Sequence, residues 1–421
     1  MKKQIILIVS LLTILLLTAC SEDSTLLKGN DPDVKNWELV ENSGKKSVVT
    51  LCVDGVSEAG REWLQTEFAD YLKLTYEIDL KLVEQTQAKT FEILANDQRT
   101  ENQSGQYDLI LIEDRGFKKA YESGYLYGPF ADKLPNYKTY LNPGDFEVLY
   151  DEGLKTNGYE VPIGKQQLTF IFNENYFYEV PETYDALFEL AKGFKGQFTY
   201  PSPQSTAEGR SFIVGYLSQG LDYDKLYSKA YTEEELYELV KPKLDKLAAV
   251  GPVLYQEGKY YPKSIAEMDQ LLFDEVLIFS MSLDYDYATA KMKAYEYPEA
   301  ADTFALAEGT TGPVAHMGIL FNSTNKSGAM LVLNAMLSPE MQASKYDTRK
   351  WKQLPIYDPN YAPQEAYVDI KKIKMKSTTL KQDEILISRV PEISDYYQDM
   401  MISLWTKHVL EVNTTAPAEG Q

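Results

Sequence analysis

The chain is poor in the residues that most often carry chemistry. Only two histidines, His316 and His408, stand in 421 residues. Neither accompanies an HExxH or a GxSxG stretch, which argues against a zinc hydrolase and against a Ser-His-Asp hydrolase. Either reading would need one of those two rings in the right place. Two cysteines, Cys20 and Cys52, allow no disulfide framework and no cysteine-rich metal centre. Cys52 lies inside a valine-rich run, where a lone thiol is packing rather than a nucleophile. Positive charge is also scarce: 42 lysines and arginines face 63 acidic residues, for a net charge of −21. Without a basic stripe, nucleic acid is set aside as a partner. An acidic surface keeps an exported protein soluble and is compatible with a cationic solute.

What is present begins at the N-terminus. Met1-Lys2-Lys3 precedes an apolar run from Ile5 to Leu17, which is too short for a span of ~20 residues and reads as a signal peptide. Leu17-Thr18-Ala19-Cys20 at its end resembles the lipobox of bacterial lipoproteins, in which the cysteine becomes the acylated first residue. The resemblance implies cleavage after residue 19 and lipidation of Cys20. It places the protein outside the cell, held to the outer face of the membrane; two acyl chains on one residue anchor stably where one would be marginal. Removal of Lys2 and Lys3 with the leader takes the charge from −21 to −23.

Hydrophobic content of 44% with 25% charged residues marks a folded globular protein, and the length points to two lobes. The pattern alternates strand and helix. Val48–Val53, Leu80–Val83, Tyr107–Ile112, Leu168–Asn173, Gln197–Tyr200, Glu275–Met281 and Met317–Phe321 read as strands. Arg61–Leu74, Asn325–Leu337 and a helix opened by the Thr232–Glu235 capping box read as helices. Trp37, Leu39 and Val40 suggest a short helix docked on the body. Strands separated by helices imply parallel pairing, with ligands outside the carboxyl ends of the strands.

Five blocks carry a family resemblance: Tyr107–Tyr137, Asn157–Asn173, Lys195–Ile213, Phe279–Ala288 and His316–Gln342. Their order and wording resemble the extracellular solute-binding proteins of ABC importers, and within them the YnjB-like family. The resemblance implies a two-lobed α/β fold of the type II periplasmic-binding-protein class, each lobe a mostly parallel sheet flanked by helices. It divides the chain into a leader (1–19), a lipidated N-terminus and tether (20–46), lobe one (47–165 and 305–345), lobe two (168–300 and 351–410) and a disordered tail (411–421). It also implies a monomer that binds a small solute between the lobes and delivers it to a permease with its ATPase. No enzymatic activity, cofactor or metal is expected of such a protein. A sensory or adhesive lipoprotein, or a fold-related enzyme, is the alternative. The run Leu111-Ile112-Glu113-Asp114-Arg115-Gly116 departs from the family's usual wording, so the solute of other members does not transfer.

The strand-end rule then nominates a site. Asp54, Glu113, Asp114 and Arg115 end strands of one lobe. On the other, Ser202, Gln204, Ser205 and Thr206 offer neutral hydrogen-bonding groups in a loop stiffened by Pro201 and Pro203. The alternative for this loop is a turn in which Ser205 or Thr206 caps the following helix. Asp284, Tyr285, Asp286 and Tyr287 pair carboxylates with aromatic rings, which suits an ammonium or amidine group; the alternative is a solvated loop with Asp284 as a cap. Lys165, Gln166 and Gln167 sit where the chain first crosses between lobes, with a second crossing expected between 294 and 315. If the carboxylates face the cleft, a cation should fill it. A ferric site on the Tyr260-Tyr261 and Tyr396-Tyr397 pairs is a further alternative.

Overall fold

The computed structural model describes residues 31–32, 35–112, 115–151, 153–376, 378–386 and 389–415. Cys20, the leader, most of the tether, Glu113, Asp114 and residues 416–421 lie outside them. The larger sheet runs β2 (Asp79–Glu84), β1 (Val48–Val53), β3 (Leu109–Ile112), β11 (Val314–Leu320) and β4 (Leu126–Tyr127), with β7 (Glu160–Lys165) also paired to β11. β1 is parallel to β2 and β3, whereas β11 is antiparallel to β3, β4 and β7. Leu109-Ile110-Leu111-Ile112 is buried along its whole length, because helices cover both faces of a central strand.

The second sheet has the order β10 (Ala301–Phe304), β8 (Thr169–Asn173), β9 (Phe279–Ser282). Both of its pairings are antiparallel, so the expected parallel sheet does not extend to this lobe. Gln197–Tyr200 also forms no strand. Tyr255 donates its N–H to the Phe198 carbonyl and Ile278 donates to the Gln197 carbonyl, single bonds on either side that do not extend into a ladder. A hairpin of β5 (Tyr150–Asp151) and β6 (Leu154–Lys155) stands apart. Its turn residue Gly153 has φ of 74° and touches Ser394 so closely that a Cβ would overlap it.

Two cores follow from the two sheets. One gathers Val49, Leu51, Leu109, Ile163, Met317 and the Lys326–Met336 helix; the other gathers Phe170, Phe212, Leu244, Phe279 and Trp405. The helix Trp37–Gly44 packs on the first, with Gly44 against Ser327 and Leu331, so the tether ends before residue 37. Trp351, Tyr357, Ala366 and Ile385 also join the first core. Residues 351–386 therefore do not return to the second lobe as expected; Tyr357 donates its hydroxyl to the Leu337 carbonyl, which holds this stretch to the lobe it follows. Only from Ile393 to Val409 does the chain pack in the second core. Phe304 and Leu306 belong there too, which narrows the second crossing, expected between 294 and 315, to Thr310–Val314 and puts residues 305–306 in the second lobe rather than the first. Glu411–Thr415 is a helical turn, not loose tail, and buries Asn413 against Gly251 and Gly258.

Candidate binding cleft

The chain passes between the lobes three times, and the passages are bonded side by side. Gln166 donates its N–H to the Pro313 carbonyl, Leu168 to Thr311 and Val390 to Thr310. Gly312 lies against the Gln166 backbone, where any Cβ would sit 2.5 Å from the carbonyl oxygen. Arg389 fastens the bundle: Nη1 donates to the Gln166 carbonyl at 2.5 Å and Nη2 to the Gly312 carbonyl at 2.6 Å. Its Nε reaches Glu147 at 2.7 Å, and Lys165 Nζ reaches the other oxygen of the same carboxylate at 2.7 Å. Burial opposes ionisation of Glu147, but Arg389 and then Lys165 overcome it and hold the carboxyl down at about 2. Lys165 is thus a hinge residue paired internally.

Between the lobes runs a continuous cleft of three chambers, of about 340, 270 and 380 Å³. The first and second share Ala207, Pro313 and Val314, and the second and third share Gly55, Gln166 and Gln353. The first lobe contributes strand-end residues Gly55, Ile112 and Arg115, as the topological rule requires. The second contributes Ala207, Arg210 and Ser211 from the first turns of the Ala207–Ser218 helix, Asp395 and Gln398 from the Asp395–Trp405 helix, and Leu283 and Asp284.

At the first chamber Arg115 bridges the gap. Its Nε lies 2.8 Å from Asp395 and its Nη2 2.6 Å from Asp399, while Arg210 meets the same Asp399 oxygen at 3.0 Å. Burial raises the Asp399 carboxyl, but hydrogen bonds from the two arginines outweigh it and leave it below the usual carboxylate range. Glu392 behaves oppositely. Burial and the neighbouring Asp151 push its carboxyl up to about 8.

At the third chamber Asp284 accepts from the Asp286 N–H at 2.9 Å and meets Lys352 Nζ at 3.3 Å. Burial raises its carboxyl, with Lys352 offsetting part of that. Asp286 is buried, 3.4 Å from Lys352, and accepts from the Thr379 hydroxyl at 2.7 Å. Tyr285 leaves its own lobe: its ring joins the first core, stacks on Tyr346 at 5.3 Å, and donates its hydroxyl to the Tyr346 carbonyl. Tyr287 donates to Asp269 at 2.7 Å, with Lys291 over its ring. The carboxylates of this loop therefore already have a cation in Lys352, which sequence spacing could not reveal because 66 residues or more separate the partners.

The remaining nominees sort by partner. Asp54 accepts the Gln87 N–H at 2.7 Å, satisfying the first N–H of the Gln87–Arg99 helix that Thr86 caps, and lines only a depression at the cleft's outer end. Thr206 caps the Ala207–Ser218 helix, accepting from the Gly209 N–H at 3.0 Å and donating to the Ser202 carbonyl. Ser202 is buried, donating its N–H to Pro262, and Gln204 points away to Thr406 at 2.9 Å. Ser205 is exposed, its N–H given to the Ser202 carbonyl. Among the described residues of the three chambers, Ser202, Gln204, Ser205 and Thr206 are not found, and nor is any tyrosine. The loop acts as the capping turn, and it is the helix it opens that reaches the cleft. Cys52 is a buried free thiol pushed up to about 12 by burial, consistent with inert packing. Sequence reasoning overlooked Ser211, Lys352, Glu392, Asp395 and Gln398; an acidic, tyrosine-rich stretch after Val390 was the one signal for the last three.

Comparison with known proteins places this cleft in a family. The model of the bacterial extracellular solute-binding protein family matches residues 68–368. Protein YnjB of Escherichia coli (strain K12) is 28% identical over 330 residues, covering 78% of this chain and 84% of that protein. A Bordetella parapertussis structure assigned to extracellular solute-binding proteins superposes with a TM-score of 0.64 at 11% identity, covering 86% of this chain and 98% of that one. PotD of Streptococcus pneumoniae strain Canada MDR_19A, a spermidine/putrescine ABC transporter substrate-binding protein, does so with 0.55 at 15% identity, covering 87% and 99%. At such identities the structures speak to fold alone. The family match spans well over half of the chain, and the chain belongs to the bacterial extracellular solute-binding proteins, exported components of ABC transporters.

Proposed function

We propose that this protein captures a small cationic solute in the first chamber and hands it to an ABC permease without chemical change. The observation that carries the reading is the charge of that chamber. Asp151, Glu392 and Asp395 line it with Arg115 and Arg210, and Asp399 sits behind both arginines. With Glu392 held largely protonated at neutral pH, three carboxylates (Asp151, Asp395 and Asp399) face two guanidinium groups, an excess of one negative charge. Closing a cleft over an excess of one sign is costly, and a cation in the chamber offsets the cost. The third chamber does not carry this argument, because Asp284 and Asp286 already share Lys352 as a partner there and Asp286 also accepts from Thr379. Cys20 tethers the protein to the outer face of the membrane, and it acts as a monomer, one solute per chain. No residue of the cleft acts as a nucleophile in this reading.

The test is a thermal-shift and calorimetric screen of the full chain, in EDTA, against polyamines, cationic vitamins, amino acids and sugars. A bound solute at a hundredfold excess over its dissociation constant stabilises the folded form by ~2.7 kcal/mol. Asp395→Asn should weaken a cationic hit by ~2–5 kcal/mol, mostly through faster release. A neutral or anionic ligand indifferent to that change would overturn the cationic reading. Replacing Cys20 by Ala should release the protein from the membrane fraction; unchanged retention would overturn the tether.

A further inference from the structure

Of the two histidines, His408 stacks on Tyr237 at the surface of the second lobe, ring centroids 4.6 Å apart. His316 is placed quite differently. It lies on β11, opposite Ile112 on one side and Pro162 on the other, immediately after a register shift between Ala315 and His316. Such bulges re-aim a side chain, and they gather beside functional sites. The side chain is 2% exposed, and neither ring nitrogen has a hydrogen-bond partner among the described residues. A buried imidazole left in that state loses the solvation of a donor and of an acceptor, so such a ring calls for an explanation.

Its surroundings supply one. His316 Nδ1 is 3.7 Å from Asp151 Oδ1, too long for a hydrogen bond. The buried carboxylate of Glu160 comes from β7, and one ligand atom from each of Asp151, Glu160 and His316 lies within 4.8 Å of the others. Two ligands on one tetrahedral ion at about 2 Å stand roughly 3.3 Å apart, so the pair at 3.7 Å is already close to a shared coordination sphere. Three separate strands hold the three groups, which gives the precision a metal site requires.

We propose that Asp151, Glu160 and His316 bind one divalent transition-metal ion in the first-lobe wall of the cleft. One imidazole nitrogen and two carboxylates suit Zn²⁺, and after it the other first-row divalent ions, in preference to Mg²⁺ or Ca²⁺, which favour all-oxygen shells. Asp151 also lines the first chamber, which sets the ion against the solute; the charge excess that favours a cationic solute there belongs to the metal-free protein. Three protein ligands leave a position for water or for a donor atom of that solute. The site goes beyond the capture of a solute, and it is tested without one.

The experiment strips the full chain with EDTA, offers Zn²⁺, Mn²⁺, Mg²⁺ or Ca²⁺ singly, and reads metal per chain by mass spectrometry and affinity by calorimetry. Wild type should hold one Zn²⁺ and bind Mg²⁺ and Ca²⁺ far more weakly. His316→Gln and Asp151→Asn should each weaken Zn²⁺ by at least about 100-fold, while His408→Gln leaves it unchanged. The melting temperature of each metal-free variant reports folding; if His316→Gln fails to fold, Asp151→Asn on the hairpin decides. Substoichiometric Zn²⁺ in the wild type would overturn the proposal. So would Zn²⁺ affinity that survives Asp151→Asn, or equal binding of Mg²⁺.

Discussion

The two ends of the cleft are closed by different physics. At the first chamber the lobes meet through Arg115, whose side chain is 55% exposed and reaches Asp395 and Asp399 across solvent. At the third, Tyr285 emerges from the second lobe, is 1% exposed in the core of the first, and spends its hydroxyl on the Tyr346 carbonyl. An exposed ion pair holds weakly and is screened by salt. A buried aromatic ring holds by area and packing, and cannot leave without opening a cavity. The difference sets an expectation for where the molecule opens: at the first chamber, a gate held by exposed ion pairs, rather than at the third, a seam held by packing, with the Arg389 bundle between them. Under the proposed function, entry and charge recognition would share this first end, because Asp151, Asp395 and the two arginines line it.

The largest expected effect comes from breaking the seam. Tyr285→Ala removes a ring from a packed core and should cost ~3–5 kcal/mol, read as a fall in the denaturation midpoint. Because the ring belongs to one lobe and the cavity to the other, the variant should also lose cooperativity between lobes. A loss below 1 kcal/mol would mean that the ring is not an anchor, and the two ends would then be alike.

The hinge gives the next effect through pH. The Glu147 carboxyl is depressed from 4.5 to about 2 in the folded protein, burial being overcome by Arg389 and Lys165. A depressed carboxyl stabilises the fold above its unfolded value and loses that stabilisation as pH falls through the folded one. A shift of this size corresponds to about 3 kcal/mol, present in full above about pH 4.5 and gone near pH 2. Glu147→Gln should be less stable at pH 7 and should lose less stability between pH 5 and pH 2 than wild type. Parallel stability profiles across that window would remove Glu147 as the hinge's charge centre.

How much of this was legible in the sequence depends on whether the partners are near in the chain. The run Val48–Val53 is a strand with the bounds its composition suggests, and Thr232 with Glu235 forms the capping box its spacing announces, because both rest on local rules. Antiparallel β8–β10 pairing joins residues over 125 positions apart, and no periodicity encodes that. The same holds for the cleft. Strand ends point to Arg115 and Asp284, which line its chambers. Lys352 and Asp399, which set the charges there, come from segments far along the chain, one held to the first lobe after the second crossing and the other placed by the third. The small-polar wording of Ser202–Thr206 suited a capping turn and a ligand loop equally, and hydrogen bonds to backbone took those groups.

The smallest energetic effect, and the sharpest on the comparison, belongs to Arg115. Arg115→Ala removes its contacts with Asp395 and Asp399, yet Arg210 still meets Asp399 at 3.0 Å, so the carboxylate is not abandoned. Exposed pairs of this kind contribute ~1 kcal/mol or less, and the denaturation midpoint should barely move. The distribution between open and closed cleft should move visibly, because even a kilocalorie is about fivefold in a two-state balance. Spin labels at Lys118 and Lys407, both exposed, would report the separation of the gate's two sides. In wild type, raising the salt should broaden that distance toward longer values, and in Arg115→Ala salt should add little. If instead the labelled distance is the same in both proteins at low salt, the gate is not held by Arg115. The two ends of the cleft would then differ in exposure but not in freedom.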